Sequence, residues 1–325
     1  MHLQSEQSFQ YCKEDIATIL NEKERIMGTE LRPTVVQNFC VDHNLLLTMI
    51  DGKVHTILSD VTSANSCCSV CGCSPKDMNN LETVLQKSVN KDAIQFGLSN
   101  LHAWIRFFEL CTKVSYKLDL PTAQARGEAA QIIVKDKKRK VQEEMKKRMN
   151  LIIDTPKTGG SGTTNDGNTA RSAFSNPELF AEILGLDLEL ITSFHTILCT
   201  ISCKAEIDPD KFQAFCLKTA QLYVKLYGKH PMSPSVHKIL IHGHEAIRSF
   251  PMPIGLINEE AQEASNKVVK KNRESYARKM SRPDTNTDVL RRLLINSDPV
   301  ITSKRRSYDN QKVKDLPRAV KDLLI

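Results

Sequence analysis

An acidic stretch opens a strongly basic segment in the last quarter of the sequence. Residues 258–267 read Asn-Glu-Glu-Ala-Gln-Glu-Ala-Ser-Asn-Lys, so three carboxylates precede a run of cations. The basic side chains of this segment are Lys267, Lys270, Lys271, Arg273, Arg278, Lys279 and Arg282. A carboxylate can bind a divalent cation, and surrounding cations can bind phosphates. The segment therefore indicates metal-assisted chemistry on a nucleic-acid backbone.

The start of a helix accounts for part of this acidity. Asn258 is a typical N-cap, and Glu259 and Glu260 fall in the first turn, where the helix dipole favours acids. Glu263 lies one turn further in and shares a stripe with Lys267. The pattern leaves two interpretations of Glu263 open: a metal ligand, or a member of a salt-bridged, solvated helix face.

A second carboxylate, Asp51, follows an apolar run. Residues 45–50, Leu-Leu-Leu-Thr-Met-Ile, predict a strand that ends at Asp51-Gly52. The end of a buried strand is a common position for a metal ligand. Asp-Gly between two β-type runs is also a strong hairpin-turn signal, and the two interpretations are compatible.

Cysteines and histidines form two halves of a metal site. Cys68-Ser-Val-Cys71 can present two thiolates to one ion, and His237 and His242 have the spacing of a structural zinc pair. Spacing alone does not join the halves, because 166 residues separate Cys71 from His237. A reduced surface loop and ordinary helix-surface imidazoles are the alternatives, and His244 competes with His242.

Composition bounds the class of protein. A chain of 325 residues, 40% hydrophobic, can build one large domain or two ordinary ones around a core. The net charge of +7, from 45 basic and 38 acidic residues, is a moderate excess, so the clustering of charge argues for nucleic acid more than its total. No apolar run has the length of a membrane span, and no signal-peptide pattern is present. We therefore expect an intracellular protein whose ten cysteines are reduced.

The elements that must position these residues are expected to be mostly helical, with short strands. We expect residues 1–80 to form a partial core with a helix, strands and the C-x-x-C loop. A helical insertion with a basic helix follows at 81–154, then a Gly/Thr/Asn loop at 155–168 and a helical region with the histidine pair at 169–250. A closing basic helix and a following helix occupy 251–297, and a basic tail occupies 298–325. Pro283 is expected to stop the helix over 259–281, and the tail to be partly disordered.

Two further basic runs, 135–140 and 146–148, allow several interpretations. They could contact phosphate or serve as a nuclear-import patch. Because acids are interleaved with the bases, a solvated helix face is equally compatible. Residues 265–292 are less balanced and are the better phosphate-binding candidate.

Taken together, the motifs resemble the Transib family of DNA transposases and the related catalytic core of the recombination-activating (RAG) recombinase. The resemblance covers roughly residues 30–303. The matching segments run in order, and they are 47–54 (Leu-Thr-Met-Ile-Asp-Gly-Lys-Val), 68–72 (Cys-x-x-Cys-Gly), 96–104 (Phe-Gly-Leu-Ser-x-Leu-His-Ala-Trp), 160–171 (Gly-Ser-Gly-Thr-Thr-Asn-Asp-Gly-Asn-Thr-Ala-Arg), 232–243 (Met-Ser-Pro-Ser-Val-His-Lys-Ile-Leu-Ile-His-Gly), 253–267 (Pro-Ile-Gly-x-x-x-Glu-Glu-Ala-Gln-Glu-Ala-x-Asn-Lys) and 297–299 (Ser-Asp-Pro).

The resemblance implies an α+β, mostly helical fold: an incomplete RNase H-like, retroviral-integrase-like core with a large helical insertion. Asp51 matches the second aspartate of the family's catalytic triad, and Glu263 matches the glutamate. The resemblance also joins the metal half-sites, since Cys68, Cys71, His237 and His242 match a structural Zn²⁺ site. The residues expected to contact DNA are Asn168, Arg171, Lys267, Lys270, Lys271, Arg273, Arg278 and Lys279.

The implied activity is DNA nicking and strand transfer with two Mg²⁺ or Mn²⁺ ions held by the carboxylates. The implied partner is double-stranded DNA with terminal inverted repeats, read by a homodimer in the nucleus, with no membrane. One departure matters: only Asp15 and Asp42 precede Asp51, and neither has the context of the family's first aspartate.

We therefore expect the C-terminal part of a transposase catalytic region, inactive as this chain alone. The alternative is a non-catalytic, zinc-stabilised DNA- or partner-binding remnant, from a domesticated or degenerate transposase.

Overall fold

Helices dominate the part of the chain that the structure describes. The computed structural model describes residues 34–36, 39–41, 66–94, 97–156, 163–257, 260–298, 300–301 and 316–325, without the side chains of 34–36, 39–41 and 261–263. Two short strands, β1 (Thr34–Val36) and β2 (Phe39–Val41), pair antiparallel with Thr34 opposite Val41.

The helices follow in chain order, each with its own label. They are α1 (Leu81–Leu85), α2 (Lys91–Ile94), α3 (Asn100–Tyr116), α4 (Glu128–Met149), α5 (Gly167–Phe174), α6 (Pro177–Leu184), α7 (Leu188–Ser202), α8 (Pro209–Tyr227), α9 (Pro234–Ser249), α10 (Glu260–Lys271), α11 (Arg282–Ser297) and α12 (Arg318–Lys321). A 3₁₀ turn spans Ile254–Leu256, and a π-helical turn, Asn272–Tyr276, continues α10.

Local signals divide the long helical region into separate helices. Asn176, Asp187 and Asp208 cap α6, α7 and α8, each accepting a hydrogen bond from a backbone N–H of the first turn. Gly185 adopts a left-handed conformation (φ 67°) and ends α6. The short helices that result can turn back on one another, so their apolar faces meet in one core.

Aromatic side chains fill that core. Phe107 of α3 meets Phe194 of α7 edge to face at 4.9 Å between ring centroids, and both rings are fully buried. Phe180 of α6 lies 5.1 Å from Phe174 of α5 and stacks on Phe108 at 5.7 Å. Such ring pairs contribute about 0.5–1.5 kcal/mol beyond the area they bury. Helix α3 is therefore held between α5, α6 and α7.

The end of the chain packs on this core, so residues 316–325 form an ordered part of the tail that was expected to be partly disordered. Val320 is fully buried, and the side chains of Leu316, Leu323 and Leu324 are more than nine-tenths buried. The Ile325 N–H donates to the Glu206 carbonyl at 3.1 Å, which fixes the terminus beside the start of α8. The basic composition of residues 298–325 hid this short apolar segment.

The prediction that Pro283 stops the preceding helix is wrong. The helix that begins at Glu260 ends at Tyr276, and Pro283 lies in the first turn of α11. Proline is tolerated there because a first-turn N–H has no partner within the helix. The preceding helix ends because Ala277 turns to an extended conformation (ψ 145°).

The mostly helical character that the sequence predicts is confirmed. The two three-residue strands do not amount to an RNase H-like sheet, and the paucity of strands in the described ranges fits such a core poorly. The predicted strands at 45–50 and 54–58 lie outside the described residues. No helix in the described ranges is both long enough and apolar enough to cross a bilayer.

Candidate metal centre and basic groove

A tight turn presents the two cysteines of the C-x-x-C motif. The Gly72 N–H donates to the Cys68 carbonyl, and the Cys68 N–H donates to the Cys73 carbonyl, both at 2.8 Å. Gly72 has φ 65°, a left-handed conformation that glycine adopts without strain. The turn therefore places the side chains of Cys68 and Cys71 at one end of the loop.

A single asparagine fastens this loop to the helical core. The Asn79 side-chain amide donates to the carbonyls of Gly228 and His230 at 2.8 and 2.9 Å, and its oxygen accepts from the Met232 N–H at 3.1 Å. These bonds attach the loop to the connection between α8 and α9. The cysteines are thus positioned next to α9 independently of any ion.

Helix α9 supplies the two histidines. Ser233 caps the helix and Pro234 begins it, so the start of the helix is fixed within one turn of His237. His237 is fully buried and His242 is 4% exposed, with ring centroids 5.5 Å apart. Burial of two imidazoles side by side is costly unless their nitrogens have partners.

The four side chains converge on one point. The ligand atoms of Cys68, Cys71, His237 and His242 all lie within 4.8 Å of one another, and Cys71 Sγ lies 3.3 Å from His237 Nε2. A tetrahedral ion with bonds of about 2.3 Å to sulfur and 2.0–2.1 Å to nitrogen places its ligands about 3.3–3.8 Å apart. The observed cluster is close to that arrangement, and its two thiols and two imidazoles are consistent with zinc.

Orphaned polar atoms support the fit. His242 Nδ1 lies 3.4 Å from a Glu245 carboxylate oxygen, while His242 Nε2 is buried without a hydrogen-bond partner in the described part of the chain. A metal-bound histidine commonly directs its other nitrogen to a carboxylate, which fixes the tautomer. The Glu245 carboxylate lies beside Nδ1 of His242 without a hydrogen bond to it, and Nε2 is left to bind an ion. The sequence signal for Glu245 was its spacing of three residues from His242.

The electrostatics of Cys71 favour the thiolate that a metal needs. A hydrogen bond with the Cys68 thiol is the main cause that lowers the pKa of Cys71 to about 7, against the opposing effect of burial. A backbone hydrogen bond at Cys73 and the Lys87 ammonium act in the same direction. Cys67, Cys73 and His244 stay outside the cluster.

A groove lies between α3, α5 and α10, and we call it the basic groove because it contains basic residues that were expected to contact DNA. It forms a cavity of about 670 Å³. The cations Arg106, Arg171 and Lys267 in its lining are matched in number by the acids Glu109, Asp166 and Glu260, and Asn168 also lines it. Asp166 is already used, since its side chain caps α5 by accepting from the Thr169 N–H at 3.0 Å. Three of the eight residues expected to contact DNA thus line one groove.

Arg171 joins two walls of the groove. Its guanidinium forms an ion pair with Glu260 of α10 and lies over the Trp104 ring, 5.5 Å from the ring. Arginine favours such stacked, bidentate-capable positions. Arg171 therefore holds α10 against α5. The Trp104 ring packs against its guanidinium, and the sequence analysis did not assign a role to Trp104.

The remaining basic residues fall into two groups. Lys270, Arg273 and Lys279 line a second concave surface between α10 and α11, together with Arg282. Arg278 instead forms two hydrogen bonds with the Asp288 carboxylate, both at 2.9 Å, which brace the turn between the helices. The Arg278 guanidinium is therefore already paired within the protein. Lys271 is exposed on the surface of α10.

The two predicted catalytic carboxylates are only partly accounted for. Asp51 lies outside the described residues. Glu263 lies in α10, one turn after Glu260, but its side chain is among those not described. Its helix forms a wall of the basic groove through Ala264 and Lys267. Neither a Mg²⁺ nor a Mn²⁺ site is therefore tested by this geometry.

Comparisons with models of known protein families and with curated proteins found no match to this chain.

Proposed function

We propose that this chain is the C-terminal part of the catalytic region of a cut-and-paste DNA transposase or recombinase of the Transib type. Its substrate is double-stranded DNA, and its chemistry is metal-dependent nicking and strand transfer. The RNase H-like core, the homodimer and the nuclear location expected from the resemblance belong to the same proposal.

The observation that carries the proposal is the buried Cys₂His₂ cluster. The resemblance required Cys68 and Cys71 to meet His237 and His242 across most of the helical region, and these ligand atoms do converge. A chance C-x-x-C loop and a chance histidine pair have no reason to meet in one buried point. We assign Zn²⁺ to this cluster, as a structural ion that ties the loop to α9.

The basic groove supports a nucleic-acid substrate. Asn168, Arg171 and Lys267 come from two separate sequence motifs, and all three line the cavity between α3, α5 and α10. Lys267 has no ion-pair partner among the described residues, so its charge is available to a phosphate. The helix that supplies Lys267 also carries Glu263, the proposed metal ligand.

The proposed catalytic ions are Mg²⁺ or Mn²⁺, held by Asp51 and Glu263. Such ions activate the attacking oxygen and stabilise the leaving oxygen of a phosphodiester. Neither Asp15 nor Asp42 matches the family's first aspartate. For this chain alone we therefore expect binding of DNA and Mn²⁺ with little or no nicking.

The second candidate is a non-catalytic, zinc-stabilised protein that binds DNA. The observation that favours it is Arg171, which is paired with Glu260 and stacked on Trp104 rather than directed to an open active site. This candidate shares the zinc centre and the groove, but it assigns no metal to Asp51 and Glu263.

A Mn²⁺-binding experiment separates the two candidates. The zinc-loaded chain is titrated with Mn²⁺ and bound ion is measured by electron paramagnetic resonance, with and without a DNA duplex. Wild type is compared with Asp51→Asn and Glu263→Gln, and Glu274→Gln is the matched control on the continuation of the same helix. Plasmid nicking is recorded in parallel.

The transposase proposal predicts Mn²⁺ binding that is lost in both test variants and retained in the control. If the chain binds DNA, and Glu263→Gln does not change Mn²⁺ binding, the result would support the non-catalytic candidate. A chain that binds neither DNA nor Mn²⁺ would contradict both.

A further inference from the structure

A second polar cavity lies on the other flank of α3, between that helix and the start of α9. It has a volume of about 190 Å³, and we call it the α3–α9 cavity. Its polar lining consists of Arg106, Glu109, Lys113, Lys117, His230, Ser233 and Ser235. None of these residues belongs to the metal cluster.

The charges around the cavity are not balanced. Glu109 accepts from Arg106 at 2.9 Å and from Lys113 at 3.4 Å, so one carboxylate serves two cations. Lys117 has no ion pair with any residue that the structure describes. A surplus of positive charge therefore remains in the wall, and an anion would neutralise it.

Helix α9 adds a second source of positive potential. Its first turn borders the cavity through Ser233 and Ser235, and a helix N-terminus carries partial positive charge. Pro234 has no N–H and the Val236 N–H donates to the Ser233 side chain, so the donors on this side are the Ser235 N–H and the serine hydroxyls. The Lys229 ammonium is already engaged in the segment that follows α3, because it donates to the carbonyls of Leu118 and Leu120 at 3.0 and 2.7 Å.

A buried imidazole without a partner is the independent observation. His230 lines the cavity, is 4% exposed, and its Nε2 has no hydrogen-bond partner within the described ranges. Burial, and then the ammonium groups of Lys229 and Lys117, lower the pKa of His230 to about 4. The ring is therefore neutral at pH 7, and the ammonium groups near it make its surroundings positive, which suits an anion.

We propose that the α3–α9 cavity binds a phosphate group through Lys117, the first turn of α9 and His230. A compact tetrahedral oxyanion can accept from an ammonium, helix N–H groups, hydroxyls and an imidazole at the same time. The phosphate is either a phosphodiester of DNA or a free phosphate. Arg106 and Glu109 line both this cavity and the basic groove, so a bound DNA backbone could pass from one to the other.

Titration of the zinc-loaded chain with inorganic phosphate tests the proposal without relying on any transposase activity. The chain carries ¹³C-labelled histidine, and the His230 imidazole resonance is followed by NMR and assigned with His230→Gln. Lys117→Ala removes the cation without a nearby ion pair, and Lys225→Ala, an exposed lysine on α8, is the matched control.

We expect a saturable shift of the His230 resonance and an affinity about fivefold weaker in Lys117→Ala but unchanged in Lys225→Ala. The absence of a saturable shift, or equal affinities in the two lysine variants, overturns the proposal.

A competition experiment with a DNA duplex identifies the source of the phosphate. If phosphate lowers duplex affinity and the effect disappears in Lys117→Ala, the natural ligand is the DNA backbone. If duplex affinity is the same in Lys117→Ala and wild type while phosphate still binds the latter, the ligand is a free phosphate. Only the first result depends on the DNA-binding function proposed above.

Discussion

Replacement of Cys71 by serine should release the ion and loosen the loop while leaving the chain folded. Serine removes one of two thiolates, and a hydroxyl is a poor zinc ligand. The Asn79 hydrogen bonds to the α8–α9 connection do not involve the ion, so the loop should remain attached. We expect the zinc content to fall from one per chain to zero.

The size of the stability loss follows from the groups left behind. His237 is fully buried and His242 is 4% exposed, so loss of the ion takes the metal partner from one nitrogen of each ring. A buried polar group without a partner costs about 1–3 kcal/mol, so the free energy of unfolding should fall by ~2–6 kcal/mol. For a folded unit of about 200 residues this corresponds to a decrease in Tm of roughly 5–20 °C.

The assay combines zinc quantification by mass spectrometry with thermal melting, with and without a strong chelator. Cys67→Ser is the matched control, because Cys67 lies in the same loop and outside the cluster. It should keep one zinc and change the free energy of unfolding by about 0.5 kcal/mol or less. A Cys71→Ser chain that retains zinc, or that loses as much Tm on chelation as wild type, would refute the reasoning.

Three further predictions concern other parts of the molecule. Gly255→Ala should lower the free energy of unfolding by about 1–3 kcal/mol in a denaturant titration, since the added Cβ would clash with the Cys203 carbonyl oxygen. A neutral result would contradict the packing. Lys267→Ala should reduce the salt slope of DNA binding by about one, whereas Arg278→Ala should leave the slope unchanged; equal effects would show that both contact phosphate. Arg278 holds the pKa of Asp288 at about 2. The stabilising Arg278–Asp288 pair should therefore be complete above pH 4 and lost as pH falls towards 2. An NMR titration of the Asp288 carboxyl with a midpoint near the ordinary 3.8 would contradict this prediction.

The parts of the site that depend on local spacing could be predicted from the sequence. The C-x-x-C turn and the histidine pair each follow from a few adjacent residues, because a turn and a helix fix the spacing of side chains within them. Their meeting depends on how α9 packs beside the loop and on Asn79, which bonds to residues more than 140 positions away. No local pattern contains that information, and only the family resemblance joined the two halves.

The fold shows the same division. Caps at Asn176, Asp187 and Asp208 are local, and they account for helix starts within the region expected to be helical. The burial of Val320 is not local, because the short apolar segment around it packs against α7 and bonds to the chain at the start of α8, both far away in sequence. Composition therefore did not reveal that residues 316–325 are ordered.

Charge patterns do not show which charged side chains are already paired within the protein. Arg278 had the sequence context of a phosphate ligand, but Asp288 lies within reach across the turn and takes both arms of its guanidinium. His230 had no motif around it, and its unpartnered nitrogen became visible only beside Lys117 and the start of α9.

X-ray absorption at the zinc edge tests the central claim most directly. The purified chain should contain one zinc with two sulfur ligands at about 2.3 Å and two imidazole nitrogens at about 2.0–2.1 Å. His242→Asn should reduce the imidazole scattering and Cys71→Ser the sulfur scattering. A chain that contains no zinc, or a zinc bound only by nitrogen and oxygen, would contradict the account.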